Sequence, residues 1–223
     1  MQANSELTST IEHYPYPAYL KEADTGKFIV SNVNAAQRWG LHDPNGFIGL
    51  TLHDMPYAKT PWGARHASMI SELDVRVRHT KHPVLSRHPF LDANGDAQWV
   101  EIIKSPALGM RQALLGIATY RRDLTDTLSY AQVFDLYREF YGAPQAIRRT
   151  LAYLGIEQCF AVQPTEAPFR ILLHKADGYS HKQVARMLGI SHRTVDFQID
   201  VLRNQVVDGD LARVLSLIRR RSA

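Results

Sequence analysis

Residues 178–202 read GYSHKQVARMLGISHRTVDFQIDVL. Ser180 and Ser191 each precede a helical apolar pattern, and Gly189 separates the two patterns. Val184, Ala185 and Leu188 share one face of the first segment; Val195, Ile199 and Leu202 share one face of the second. Two short helices at a sharp angle follow. The opposite face of the second carries Ser191, His192, Arg193, Thr194, Asp196 and Phe197. Hydroxyls, imidazole, guanidinium and an aromatic ring at a helix N-terminus are groups that read base edges in a major groove. Lys182 and Arg203, with Arg186 and the run Arg219, Arg220, Arg221, supply cations that could approach phosphates. The chemistry is recognition: the chain shows no phosphate-binding glycine loop, nucleophile elbow or paired His-Glu metal motif, and no catalytic residue is assigned.

The order Gly178, Ser180, Lys182, Val184, Ala185, Leu188, Ile190, Ser191, Thr194, Val195 resembles the LuxR/FixJ-type helix-turn-helix. The resemblance implies a tetrahelical domain whose second motif helix enters the major groove. Departures are specific. The family's upstream Arg-Glu pair is Ala167 and Pro168 here, its basic residue after Thr-Val is Asp196, and its His is Gln198. Asp196 and Asp200 place negative charge where many relatives present Lys to the duplex.

Charge follows the same division. Of 26 Lys and Arg against 22 acids, ten cations and six acids fall at or after Thr165, so the whole excess of four lies there. The 223 residues suffice for one larger domain and one small one, of globular composition. No apolar stretch approaches a membrane span, and the first residues lack signal-peptide character, so a cytoplasmic protein is expected. The single Cys159 rules out an internal disulfide and a cysteine-rich metal site. No metal site is assigned; His79, His82 and His88 lack ligand spacing.

The first half has another pattern. Strand-like runs at 17–21 and 27–31 flank the turn Asp24, Thr25, Gly26; short helical pieces follow, then a helix over 62–78. Runs at 84–91, 98–103 and 114–120 read as three further strands, the first two joined at Asn94, Gly95. An antiparallel sheet with helices gathered on one face is expected, with a ligand pocket between them. That order, with Tyr19, Leu20, Lys21, Asp24, Gly26, Ile29, Asn32, Ala35, Gly40, Ile48, Gly49 and the closing Arg122, Asp123, Leu124, Thr125, resembles a PAS sensory domain. The resemblance implies that Asp123 and Thr125 tie the sheet to the outgoing helix and couple the signal. Read from the residues alone, both are helix-capping groups.

The pocket lining is expected from Trp39, Phe47, Met55, Trp62, His66, Met69, Val84, Trp99 and Ile103, a set that equally describes a filled core. Flavin-binding relatives carry a reactive Cys after the short helices; residues 47–55 have none, which excludes that photochemistry. A lone His66 on the long helix does not make a haem site, so haem is set aside. A small organic ligand remains.

The expected organisation is α+β: a PAS-like five-stranded antiparallel sheet over 12–125, a helical linker over 126–164, and an all-α helix-turn-helix domain over 165–223. Leu128, Ala131, Val133, Leu136, Tyr137 and Phe140 crowd two sides of the linker helix. Their cover is either a second copy or a following helix with Ile147, Leu151 and Leu154; the homodimer is favoured, with Leu211, Val214, Leu215 and Ile218 of the last helix as its second contact. The function expected is a one-component transcriptional regulator binding double-stranded DNA. Two other classes stay open: a helix-turn-helix acting through protein contacts as an antagonist or adaptor, and an enzyme using the first domain's pocket.

Overall fold

The computed structural model describes residues 2–220. The chain divides into two compact units between Leu124 and Thr125.

In the first unit the elements run α1 (Gln2–Glu12), β1 (Ala18–Glu22), β2 (Phe28–Ser31), α2 (Val33–Arg38), three 3-10 turns within 44–59, α3 (Pro61–Thr80), β3 (Val84–Leu91), β4 (Ala97–Leu108) and β5 (Leu114–Asp123). The strands form one antiparallel sheet ordered β2-β1-β5-β4-β3. The β1-β2 turn needs a residue in the left-handed region, and Gly26 supplies it at φ +69°. Asn32 ties the start of the domain together. Its Oδ1 accepts from the backbone N–H of Ala18 and Ala35, and its Nδ2 donates to the carbonyls of Tyr14 and Tyr16, so the buried amide caps α2 and holds the entering chain. Helix α3 starts where the Thr60 hydroxyl accepts from Gly63 N–H with Pro61 in the first turn.

The sheet separates two apolar layers. On one face Tyr19, Ile102 and Ile117 pack against Ile70, Leu73 and Val77 of α3, with Phe47, Leu52 and Met55 filling in from the short turns. Each such fully buried side chain contributes roughly 1.5–3 kcal/mol. On the other, Ala18, Leu20, Val30 and Ala118 lie under Leu7 and Ile11 of α1. Helix α1 is an addition to the expected fold.

Register fixes which residues face the core. Ile102 pairs with Arg121 and Lys104 with Thr119, all on the α3 side; Ile103 pairs with Tyr120 on the opposite face. Trp99 shares Ile103's parity, so both expected pocket residues lie on the outer face, a correction of one residue in β4. The inward row Gln98, Val100, Ile102, Lys104 contains two polar residues that break the apolar alternation a sequence reading relies on.

The second unit is helical: α4 (Tyr130–Arg138), α5 (Ala143–Leu154), α6 (Glu166–Ala176), α7 (His181–Leu188), α8 (His192–Gln205) and α9 (Leu211–Arg220). Helix α6 is apolar almost all round, with Phe169, Ile171, Leu172, Leu173 and Ala176 buried, and α4, α5, α7, α8 and α9 all pack on it. Ala131, Val133, Leu136 and Tyr137 of α4 are buried, as are Ile147, Leu151 and Leu154 of α5. The cover that α4's two apolar sides require is found within the same unit, and the segment read as a linker is an integral part of it. Phe134 of α4 meets Phe169 of α6 edge-on, ring centres 5.2 Å apart. Among the described residues no helix is long and apolar enough to cross a membrane.

Candidate sensor cavity and candidate nucleic-acid interface

In the first unit the space between α2, α3 and the sheet is a narrow, nearly filled cavity of about 20 Å³. Aromatic rings form its wall. Trp62 stacks on His66 with ring centres 5.1 Å apart, His66 lies 5.3 Å from Phe90 and 5.4 Å from His88, and Trp39 is edge-on to Phe90 at 5.1 Å. The polar groups sit on the inward rows of β3 and β5. Buried Arg121 donates to Gln98 Oε1 at 2.6 Å and lies with its guanidinium carbon 3.7 Å from the Phe90 ring centre.

Burial sets the protonation of these groups. It pushes His66 down to about 2 and His88 to about 4, the neighbouring cations adding to the effect, so both imidazoles are neutral near pH 7. Tyr57 Oη stands 3.3 Å from His66 Nδ1 and can donate to it. Burial likewise lowers Arg121.

The same unit holds a buried ion cluster. Lys21 Nζ is 2.9 Å from Asp74 Oδ2, Lys104 Nζ contacts Asp74 Oδ1, and Lys104 also donates to Thr119 Oγ1 at 3.2 Å. Burial lowers both lysines. It would raise Asp74, but Lys104 and Lys21 outweigh it and hold the carboxyl below its usual range. With all three ionised the cluster carries one net positive charge.

The expected pocket residues are distributed unevenly. Trp39 and His66 line the cavity and Trp62 stacks behind His66. Phe47, Met55 and Val84 are in the packed core, with Met69 at its margin. Asp123 ends β5 with a carboxylate oxygen 3.9 Å from Arg38 Nη2. Thr125 opens the second unit and is buried.

In the second unit α7 and α8 form the tight helix pair the sequence predicts. Ser180 and Gln183 make a capping box, Gly189 takes φ +66°, and the Ser191 side chain accepts from Thr194 N–H. Val184, Ala185, Val195, Ile199 and Leu202 are buried. Ser191, His192, Arg193, Asp196 and Phe197 are exposed, Phe197 at 63%. Thr194 is half-buried, its hydroxyl 2.8 Å from that of Ser191. Lys182 is exposed beside them, while Arg203 is 2.8 Å from Asp200. Arg219 bonds the carbonyls of Lys175 and Ala176 and so closes the end of α6, an assignment that removes it from the free cations. Arg220 is exposed, and Arg221 lies outside the described residues.

The sequence profile of the PAS fold matches residues 13–128, more than half of the chain. The chain belongs to the PAS-fold family. A second profile, for a homeodomain-like domain, matches residues 169–199 and coincides with α6, α7 and the first half of α8. No curated protein sequence matches. Among solved structures, VqmA of Vibrio cholerae in complex with a ligand and DNA is 20% identical, with 98% of this chain and 87% of that one covered and a TM-score of 0.55. A phage VqmA in complex with DPO is 22% identical, with 99% and 88% covered and a TM-score of 0.52. At these identities the likeness is one of fold.

In this PAS domain the side chains that the sequence reading does not place at the pocket are Arg121, His88, Phe90, Lys21, Asp74 and Lys104. Each is polar or isolated in sequence and meets the others only through strand register. In the helical unit the omission is His181. Its Nδ1 lies 2.9 Å from Asp196 Oδ1, and His192 Nδ1 lies 3.1 Å from Asp196 Oδ2. Hydrogen bonding from His181, then the charge of His192, holds Asp196 below the usual carboxylate range.

Proposed function

We propose that this chain is a cytoplasmic one-component transcriptional regulator, not an enzyme, in which the PAS unit senses a small organic molecule and the α7-α8 unit, LuxR-type in its motif, binds double-stranded DNA. One observation carries the DNA reading: α8 buries Val195, Ile199 and Leu202 while presenting His192, Arg193, Asp196 and Phe197 to solvent. The solved VqmA relatives hold a ligand with DNA and DPO respectively, which supports carrying both activities over.

The cavity favours a flat, partly polar ligand. Trp39, Phe90 and the neutral His66 offer ring faces, and Arg121, His88 and Thr119 offer polar groups at one wall. A ligand stacked there biases one packing of the PAS core, and Asp123 and Thr125, on either side of the unit boundary, pass the bias on. A coupling of about 1–3 kcal/mol changes DNA affinity by one to two decades. Homodimerisation brings two reading helices to two half-sites.

The test is selection of bound fragments from genomic DNA by the purified chain, with a salt titration on the best fragment. A partly palindromic site with a steep salt dependence is the expected result. No enrichment over random DNA, with or without cell extract as a ligand source, overturns the reading. Asp196 and Asp200 on the α8 surface favour one second reading, a helix-turn-helix that binds protein; a salt-insensitive complex with another regulator would establish it.

A further inference from the structure

His181, His192 and Asp196 gather where the two motif helices begin. His181 is the first residue of α7, His192 the first of α8, and Asp196 lies one turn further along α8. Each carboxylate oxygen is engaged by a different imidazole, and the two rings stand 5.6 Å apart. One donor atom from each of the three falls within 4.8 Å of the others. A tetrahedral divalent ion with bonds of about 2.0–2.2 Å holds its ligands about 3.3 Å apart. The three donor atoms, already within 4.8 Å of one another, reach that spacing when both imidazoles turn onto one carboxylate oxygen.

We propose that this cluster is a binding site for a divalent transition metal of zinc type, with His181, His192 and Asp196 as its three protein ligands. Two imidazoles and one carboxylate are the donor set such ions prefer over magnesium or calcium. The three side chains are partly or fully open to solvent, which leaves the fourth position to water. Binding there joins the N-termini of α7 and α8 through one ion and fixes the angle between them. It also adds positive charge beside Asp196 on the proposed reading face. On the DNA-binding reading, on which this consequence rests, the metal-loaded chain binds DNA more tightly.

The sequence hides the site because His181 and Asp196 are fifteen residues apart, and only the helix pair brings them together. His192 and Asp196, at i and i+4, are adjacent on one helix face by geometry alone.

The test is calorimetric titration of the full chain with zinc in the absence of DNA, repeated with cobalt for its visible absorption. One equivalent is expected, lost in His181→Ala and in Asp196→Ala and kept in His79→Ala, which alters an exposed histidine of α3. An unchanged titration in His181→Ala, or no uptake by the unaltered chain, overturns the site. DNA affinity is then compared with zinc and with chelator. A gain of about tenfold with zinc, absent in His181→Ala, supports the coupling, and zinc uptake with unchanged DNA affinity overturns it. If zinc binds and no DNA is bound in either state, the metal site stands and the DNA-binding reading falls.

Discussion

Lys104 and Asp74, thirty residues apart in sequence, form an ion pair in which the lysine is wholly buried. Lys21 binds the other oxygen of the same carboxylate. Two ammonium groups thus depend on one acid inside the PAS core. Removing that acid leaves both without a counter-charge, and loss of one partner of a buried pair costs about 3–5 kcal/mol. Asp74→Ala is expected to lower the unfolding free energy of the first unit by that order, read as a fall in its urea midpoint. The carboxyl's folded pKa is depressed, so its stabilisation is present above the unfolded value of about 3.9 and is lost as pH falls through the folded one. Denaturation of the variant should be less sensitive to pH than that of the parent below pH 4.

His66 and His88 also lose stability on acidification, but in a higher pH range. Both are neutral in the folded state down to about pH 2 and about pH 4, whereas in the unfolded chain they take up a proton near pH 6.5. The unfolded state therefore binds more protons below pH 6.5, and stability falls as the solution is acidified. Each histidine is expected to remove about 1 kcal/mol between pH 6.5 and 5.5. Urea unfolding at the two pH values, in the parent and in His66→Phe, isolates the share of His66. An equal loss in both would show that His66 takes up its proton in the fold as readily as in the unfolded chain.

Gly63 packs where a side chain has no room. A Cβ there would lie 1.9 Å from the Tyr57 carbonyl oxygen. Gly63→Ala must move Tyr57, whose ring centre is 4.3 Å from that of the cavity residue Trp39 and 5.7 Å from that of Trp62. A loss of about 1–3 kcal/mol is expected, together with weaker binding of any ligand held by that wall. Thermal melting with and without ligand measures both. Unaltered melting would mean that the turn before α3 shifts freely.

Arg193 and Phe197 separate electrostatic from base-specific contributions. Both are exposed on α8 and neither supports its packing. Arg193→Ala should weaken DNA binding about tenfold at low salt and reduce the slope of log affinity on log salt by about one if it meets a phosphate. Phe197→Ala should leave the slope alone and change preference at a base pair. Circular dichroism of both variants should match the parent. An affinity indifferent to both substitutions would place the reading face elsewhere on the helix pair.

How much of this was visible in the sequence depends on whether the signal was local. The α7-α8 pair was fully legible because Ser180, Gly189 and Ser191 punctuate it and the buried residues recur at helical spacing. Strand order was legible from turn residues and periodicity. The cavity was less so. Trp39 and His66 were found through their type, but Trp99 and Ile103 were placed on the wrong side of β4 because Gln98 and Lys104 occupy its inward row. Arg121, a buried cation at the end of an apolar strand, carries no sequence signal of its own; stacking on Phe90 and bonding to Gln98 are what make its burial tolerable. Helix α1 rests on little more than Leu7 and Ile11.

Helix α6 is packed against by α4, α5, both motif helices and α9. Phe169 and Leu172 are consequently buried. A fragment cut at residue 165, where the helix-turn-helix homology suggests a natural start, would strip off α4 and α5 and leave a greasy flank in water. Such a fragment would be prone to aggregate, and its failure to bind DNA would say nothing about the intact chain. The smallest piece suited to crystallisation or to spectroscopy on DNA begins near Thr125, and within it the amides of α6 should be the slowest to exchange with deuterated solvent.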